Sequence, residues 1–365
     1  MSKRQKLSFF YFEDLPDEIL LNIFSFLGLK GVLQCGQVSK RLRAISNDQC
    51  LWSKLNLHGQ EVPYGIIEKA IQNGCEYLNL GYSIVYGGKK SEVPWNLKYL
   101  EISQAEDLEW DPEVPKGVIE NCHFLHKLAV DYFKLDHIEI EQICQNGETL
   151  KILSLEGCNI DFCQRTGLVE KLIIKCSQLT ELNISKGIGG LFSNSILLDQ
   201  HVCALVENLT PGILKLNLAS QEVTDEHVHT LVSRCKKLTE LDLSFTGIAD
   251  ASVESIAKHS NFIEKLNVSY TKIDFSSLLQ LKSIPTLKSL RFGLGTKGRS
   301  NEYNESIQET IKETTKNLKL QLPHVSINEG YTNIAYPSKC VNGSVDLDWF
   351  WEIKAKKQEL FRETC

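Results

Sequence analysis

Cysteine is the residue type in this chain best equipped for chemistry: there are twelve, against a single methionine. A thiolate is a nucleophile and a metal ligand, and two thiols can join as a disulfide. Spacing narrows these options. Structural zinc sites use cysteine pairs with about two to four residues between them, matched by further Cys or His. No CxxC occurs, and the nearest pairing, Cys158 with Cys163, has no His motif at zinc spacing. A cysteine nucleophile needs a histidine that the fold brings against it, and the sequence carries no motif that pairs the two in that way. A phosphate-cradling glycine loop, GxSxG and HExxH are also missing. The expectation is a non-enzyme with no catalytic residue, no metal and no cofactor.

The thiols' surroundings depend on the compartment. Lys3-Arg4-Gln5-Lys6 precedes a short apolar run, Phe9 to Phe12, that Glu13, Asp14 and Asp17 interrupt. That is not a secretory pattern. No stretch of about 18 apolar residues could span a membrane, and Cys365 is misplaced for prenylation. A nuclear or cytoplasmic protein with reduced thiols is expected. Lys3–Lys6 reads as a solvated basic tail or a nuclear address. Acidic groups outnumber basic ones, 46 to 40, which argues against a nucleic-acid-coating surface.

The elements that position the cysteines repeat. The pattern Leu, two residues, Leu, one residue, Leu/Ile/Val has central residues at 78, 100, 128, 153, 182, 216, 241, 266 and 290. Most steps lie between 22 and 29, with one of 34, so each unit can hold one strand and one helix. Asn79, Glu101, Ala129, Ser154, Asn183, Asn217, Asp242, Asn267 and Arg291 alternate with the apolar strand residues. Strand periodicity places them together on the concave face of a parallel sheet, where solvent exposure is expected. Val223, Val228 and Leu231 recur as Ile248, Val253 and Ile256, then as Ile273, Leu278 and Leu281. These steps suit a loop entering an amphipathic helix, with Asp225 and Asp250 placed to cap it. Cys122, Cys176 and Cys235 each precede their central Leu by six residues, at the helix-to-strand turn. There a thiol serves as a small core residue.

Residues 9–57 fall outside this register. Pro16 suits a first helical turn, Asp17 and Glu18 suit the positive helix end, and Ile19, Leu20, Ile23, Phe24 and Leu27 form an apolar face. Val32, Leu33, Cys35 and Val38, then Ser39-Lys40-Arg41-Leu42 and Leu51-Trp52, complete a small helical module. Leu15-Pro16, Glu18-Ile19-Leu20, Ile23 to Leu27, Val38 to Leu42 and Leu51-Trp52 resemble an F-box in order and spacing. The resemblance implies docking onto the S-phase-kinase-associated adaptor of cullin ubiquitin ligases. It points to Leu15, Pro16, Ile19, Leu20, Ile23, Phe24, Val38, Leu42 and Trp52 as adaptor contacts, some of them shared with the module's interior.

After Phe292 come a Gly-rich loop, a helix-like segment at 305–318, and a last strand-like run, Leu322 to Asn328. Ile284-Pro285 to Leu290, Leu322-Pro323-His324-Val325-Ser326-Ile327-Asn328, Thr332 with Ile334-Ala335 and Pro337, and Trp351 with Ile353-Lys354 resemble the S-phase-kinase-associated branch of F-box receptors. That branch carries basic residues after one repeat strand, where this chain has Ser220-Gln221-Glu222. The resemblance implies an α/β architecture of three parts. These are an F-box bundle over 9–57, a leucine-rich-repeat solenoid over 58–328, and a tail over 329–365 folded back on it. It implies the substrate-binding subunit of an adaptor–cullin–RING ubiquitin ligase, directing a protein, with or without phosphate, to degradation in the cell cycle. A non-degradative scaffold is the alternative. Substrate contacts are expected on the concave row at Lys215, Asn217, Glu240, Asp242, Lys265, Asn267 and Arg291.

Overall fold

The computed structural model describes residues 15–87, 94–103, 118–160, 167–186, 196–274, 276–293 and 301–327. The Lys3–Lys6 run, the 294–300 loop and the fold-back expected for 329–365 lie outside the described residues.

Four short helices open the chain: α1 (Asp17–Ser25), α2 (Leu29–Val38), α3 (Lys40–Ser46) and α4 (Gln49–Trp52). Pro16 sits one residue ahead of its expected place, at the cap of α1, and its carbonyl accepts from the Ile19 and Leu20 amides. Ser39 caps α3 by accepting from the Leu42 amide at 3.2 Å, and Asp48 caps α4 by accepting from Cys50. Arg41 donates to Asp17 (Nε to Oδ1, 2.8 Å) and to the Leu15 carbonyl, tying α3 to the start of α1. A Cβ on Gly36 would collide with Ser46, so α2 and α3 require glycine there. Leu20, Phe24, Val32 and Ile45 form the small core.

The remaining described chain winds through an eleven-stranded, all-parallel sheet whose strands follow one another in chain order. It runs from a first strand at Lys54–Asn56 to a last at Ser326–Ile327. Leucine lies opposite leucine throughout: Leu55 on Leu78, Leu78 on Leu100, and on through Leu241, Leu266 and Leu290 to Ile327. Every strand centre expected from 78 to 290 is present, and Leu55 and Ile327 extend the stack at its ends. Helices such as Leu168–Lys175, Asp199–Asn208, Asp225–Arg234 and Asp250–His259 return the chain behind the sheet. The third in-register unit differs. Ser277–Ser283 is a 3-10 helix, because Pro285 follows closely and prevents continuation. Leu278 and Leu281 still reach the core.

Asp225 and Asp250 do not cap their own helices. Asp225 Oδ1 accepts from the Ala249 amide at 2.9 Å and the Ser252 amide at 3.1 Å, at the start of the next helix. Asp250 Oδ1 accepts from the Asp274 amide at 2.8 Å. An aspartate on the first helical turn is out of reach of that turn's amides but within reach of the following repeat. The carboxylates therefore fasten repeats to each other.

Cys122, Cys176 and Cys235 are buried, the last two as helix C-caps. Burial pushes the Cys122 thiol up to about 12 and Cys235 up to about 11. Protonated at neutral pH, they serve as core side chains.

Candidate protein-binding surfaces

The helical module sorts its apolar residues between two faces. Leu20 and Phe24 project inward and are fully buried. Ile19 and Ile23, on the same helix, are 46% and 38% exposed. Val38 at the end of α2 is 75% exposed, and Pro16 is exposed beside Ile19. Leu15 and Leu42 are half-buried edges of the small core. Leu20, Phe24 and Trp52 therefore leave the expected contact set for the interior. Residues at i and i+1 cannot share one helix face, so an apolar run in α1 must divide. Phe26, 82% exposed, and Leu27 join the outer face. Both stand in the motif, and their place just past Ser25 was the only signal for their exposure.

Trp52 belongs to the solenoid. It packs within the continuous repeat core, its indole N–H donates to the Ser46 carbonyl at 2.7 Å, and Lys69 Nζ lies 5.3 Å from its ring centroid. Leu51 packs against both cores, and Leu29 and Leu33 pack against the repeats. The module is thus seated on the first repeat.

The concave row departs from the expected solvated face. Asn79, Glu101, Asn183, Asn217, Asp242, Asn267 and Arg291 are all buried. The side chains fill the spaces between closely set strands and bond to one another. Asn79, Asn183, Asn217, Asp242 and Asn267 each accept through Oδ1 from the amide two residues on. Asn267 donates to Asp242 at 2.8 Å, and Asn183 donates to Glu156 at 3.0 Å. Two residues earlier in each strand, Glu181, Lys215, Glu240 and Lys265 alternate in charge across four adjacent strands. Lys215 lies 3.7 Å from Glu181 and 3.5 Å from Glu240, and Lys265 lies 3.5 Å from Glu240. Burial still pushes the Glu240 carboxyl upward against the pull of both lysines. Burial likewise raises Asp242, against the bonds from Ser244 and Asn267. Of the seven expected substrate contacts, Glu240 pairs with Lys215 and Lys265, and Asp242 pairs with Asn267, Lys215 and Lys265 being the most open.

Asn146, unmarked by the repeat pattern, is also structural. Its side chain accepts from the Leu125 amide at 2.9 Å and donates to the Cys122 carbonyl at 2.8 Å. It closes the turn between helix His137–Cys144 and the neighbouring repeat. No cluster of metal-ligating side chains is present among the described residues, and no helix there is long and apolar enough to cross a membrane.

Two family models match. One, described as the SKP2 LRR domain, covers residues 65–358; the other, F-box-like, covers residues 12–58. F-box/LRR-repeat protein 12 of Mus musculus is 21% identical over 76% of this chain and 78% of its own length. The Homo sapiens protein of that name is 22% identical over 76% and 77%. Among solved structures, an internalin from Listeria monocytogenes aligns with 79% of this chain and 85% of its own, with 17% identity and a TM-score of 0.42.

Proposed function

This chain belongs to the F-box/leucine-rich-repeat family, and from that premise we propose that it is the substrate-recognition subunit of an adaptor–cullin ubiquitin ligase. The outer face of the helical module carries this reading. Pro16, Ile19, Ile23, Phe26, Leu27 and Val38 gather apolar surface on a module with a very small core. A contiguous patch of that kind is a protein-binding surface. In this proposal it docks the S-phase-kinase-associated adaptor, which connects to the cullin and its RING subunit. The solenoid holds the target protein, in the nucleus or cytoplasm. The chain itself makes and breaks no bonds. It contributes by orienting target lysines toward ubiquitin carried by the recruited conjugating enzyme.

The test uses the full-length chain and the purified adaptor. Wild type is expected to form a complex, and Ile19→Asp with Ile23→Asp to lose it at an unchanged thermal midpoint. A complex retained by that variant defeats the docking face. Half-lives of proteins held by the solenoid are then compared between wild type and the Ile19→Asp, Ile23→Asp variant, which leaves the repeat core intact. Equal half-lives favour a non-degradative scaffold.

A further inference from the structure

Where each strand turns toward its helix, the backbone repeats an uncommon conformation. The fourth residue after the central strand leucine is left-handed at Tyr82, Tyr132, Ser220, Phe245 and Tyr270, with φ between 58° and 64°. Glycine holds that place at Gly59 and Gly157, with φ 68° and 63°. Side chains other than glycine are strained there, and such strain gathers where function needs a particular side chain. Tyr132 has a task within the chain, donating its hydroxyl to Glu156 at 2.8 Å. Tyr82 meets His58 edge-on at 5.2 Å. Phe245 and Tyr270 stack on each other, 4.3 Å between centroids and 9° between planes, and Phe245 is 45% exposed.

The two rings stack in the direction in which the strands succeed one another. Tyr270 covers one face of Phe245. On the other side the equivalent position is Ser220, too small to fill the place of a ring. Two residues beyond it Glu222 is exposed, with one carboxylate oxygen 3.3 Å from the Asp199 amide. This edge of the solenoid is acidic: over 218–226, 243–251 and 268–274 it carries Glu222, Asp225, Glu226, Asp250 and Asp274 against Lys272 alone. The opposite edge, over 233–239, 257–264 and 282–288, carries six Lys and Arg against one Glu.

We propose that the exposed part of Phe245, which the small Ser220 of the preceding repeat cannot cover as a ring would, is a slot on this acidic edge for an arginine side chain of the protein that the solenoid holds, with Glu222 of the same edge as its carboxylate partner. A guanidinium is planar, stacks on an aromatic face and forks onto a carboxylate; an ammonium does neither of the last two. The acidic edge attracts it. This inference rests on the reading of the solenoid as the target-binding half.

The experiment presents the full-length chain, bound to its adaptor, with a random-sequence peptide array and with matched peptides carrying Arg, Lys or citrulline at one place. Retained peptides are expected to be rich in arginine, with binding falling about tenfold on replacement by Lys or citrulline. Phe245→Gly is expected to lose that preference without lowering the thermal midpoint, since glycine accepts the left-handed backbone freely. Glu222→Lys is expected to lose it too, and Phe245→Tyr to keep it. An arginine preference that survives Phe245→Gly overturns the slot, as does wild type retaining peptides without regard to arginine. That second result leaves the target-binding reading standing. Retention of neither peptide nor adaptor removes both, and retention of the adaptor alone removes the slot.

Discussion

The two ends of this chain keep their apolar residues in opposite places. The helical module buries four large side chains and turns a larger set outward. The solenoid runs one continuous core from Trp52 to Ile327 and gives its concave face to polar groups that bond to each other. A module of about 45 residues cannot enclose all its apolar surface, so its outer face suits a partner that stays. Polar groups already bonded to one another offer a partner little gain on burial. On the proposed reading, recognition on the solenoid therefore falls to side chains that stand clear of these pairs, such as Phe245.

Trp52→Ala attacks this contrast at the point where the two halves meet. It is expected to cost about 3–5 kcal/mol and to split a single denaturant transition into two. One unbroken transition with a small loss would mean that the halves are coupled by contacts other than Trp52. A sharper test lies within α1. Leu20→Ala is expected to cost about 2–5 kcal/mol and its neighbour Ile19→Ala under about 0.5 kcal/mol, both by chemical denaturation. Equal losses would erase the division into inner and outer faces. In the solenoid, Asn146→Ala strands the Leu125 amide and the Cys122 carbonyl in the interior, and a loss of about 2 kcal/mol is expected by the same measurement.

The smallest effect concerns the polar pairs of the concave row. Asp242 holds its proton more tightly folded than unfolded, because burial disfavours its charge. Its contribution is favourable below the unfolded value of 3.8 and declines as pH rises through the raised folded value. Asp242→Asn matches the asparagine at the equivalent positions of neighbouring repeats. It is expected to change stability by less than about 1 kcal/mol at neutral pH. It should also flatten the decline above pH 3.8 in midpoints measured across a pH series. An unchanged pH profile would assign the decline to Glu240.

The repeat strands were legible because each central leucine faces the same environment, and a periodic environment leaves a periodic sequence. The concave asparagines were legible in position but not in burial. Strand alternation says which side a residue takes, while exposure depends on how closely its neighbours stand. The sequence also shows Asp225 and Asp250 at helix starts, but the amides they bind lie in the next repeat, a relation that exists only once repeats are stacked. In the helical module the motif identified the family, and the split of its leucines and isoleucines needed the packing of α1 on α3. Ser277–Ser283 kept the apolar register of its α-helical neighbours, so periodicity alone could not distinguish the 3-10 turn.

The seating of Trp52 in the repeat core has a mechanical result. A flexible tether would let a captured protein sweep a volume, with an effective concentration that thins as the tether lengthens. Here the join is packed side chain, leaving no slack between the docking face and the concave rim. In the proposed receptor the chain acts as a gauge of fixed span, so that a captured protein would be sampled along a narrow arc set by its own shape.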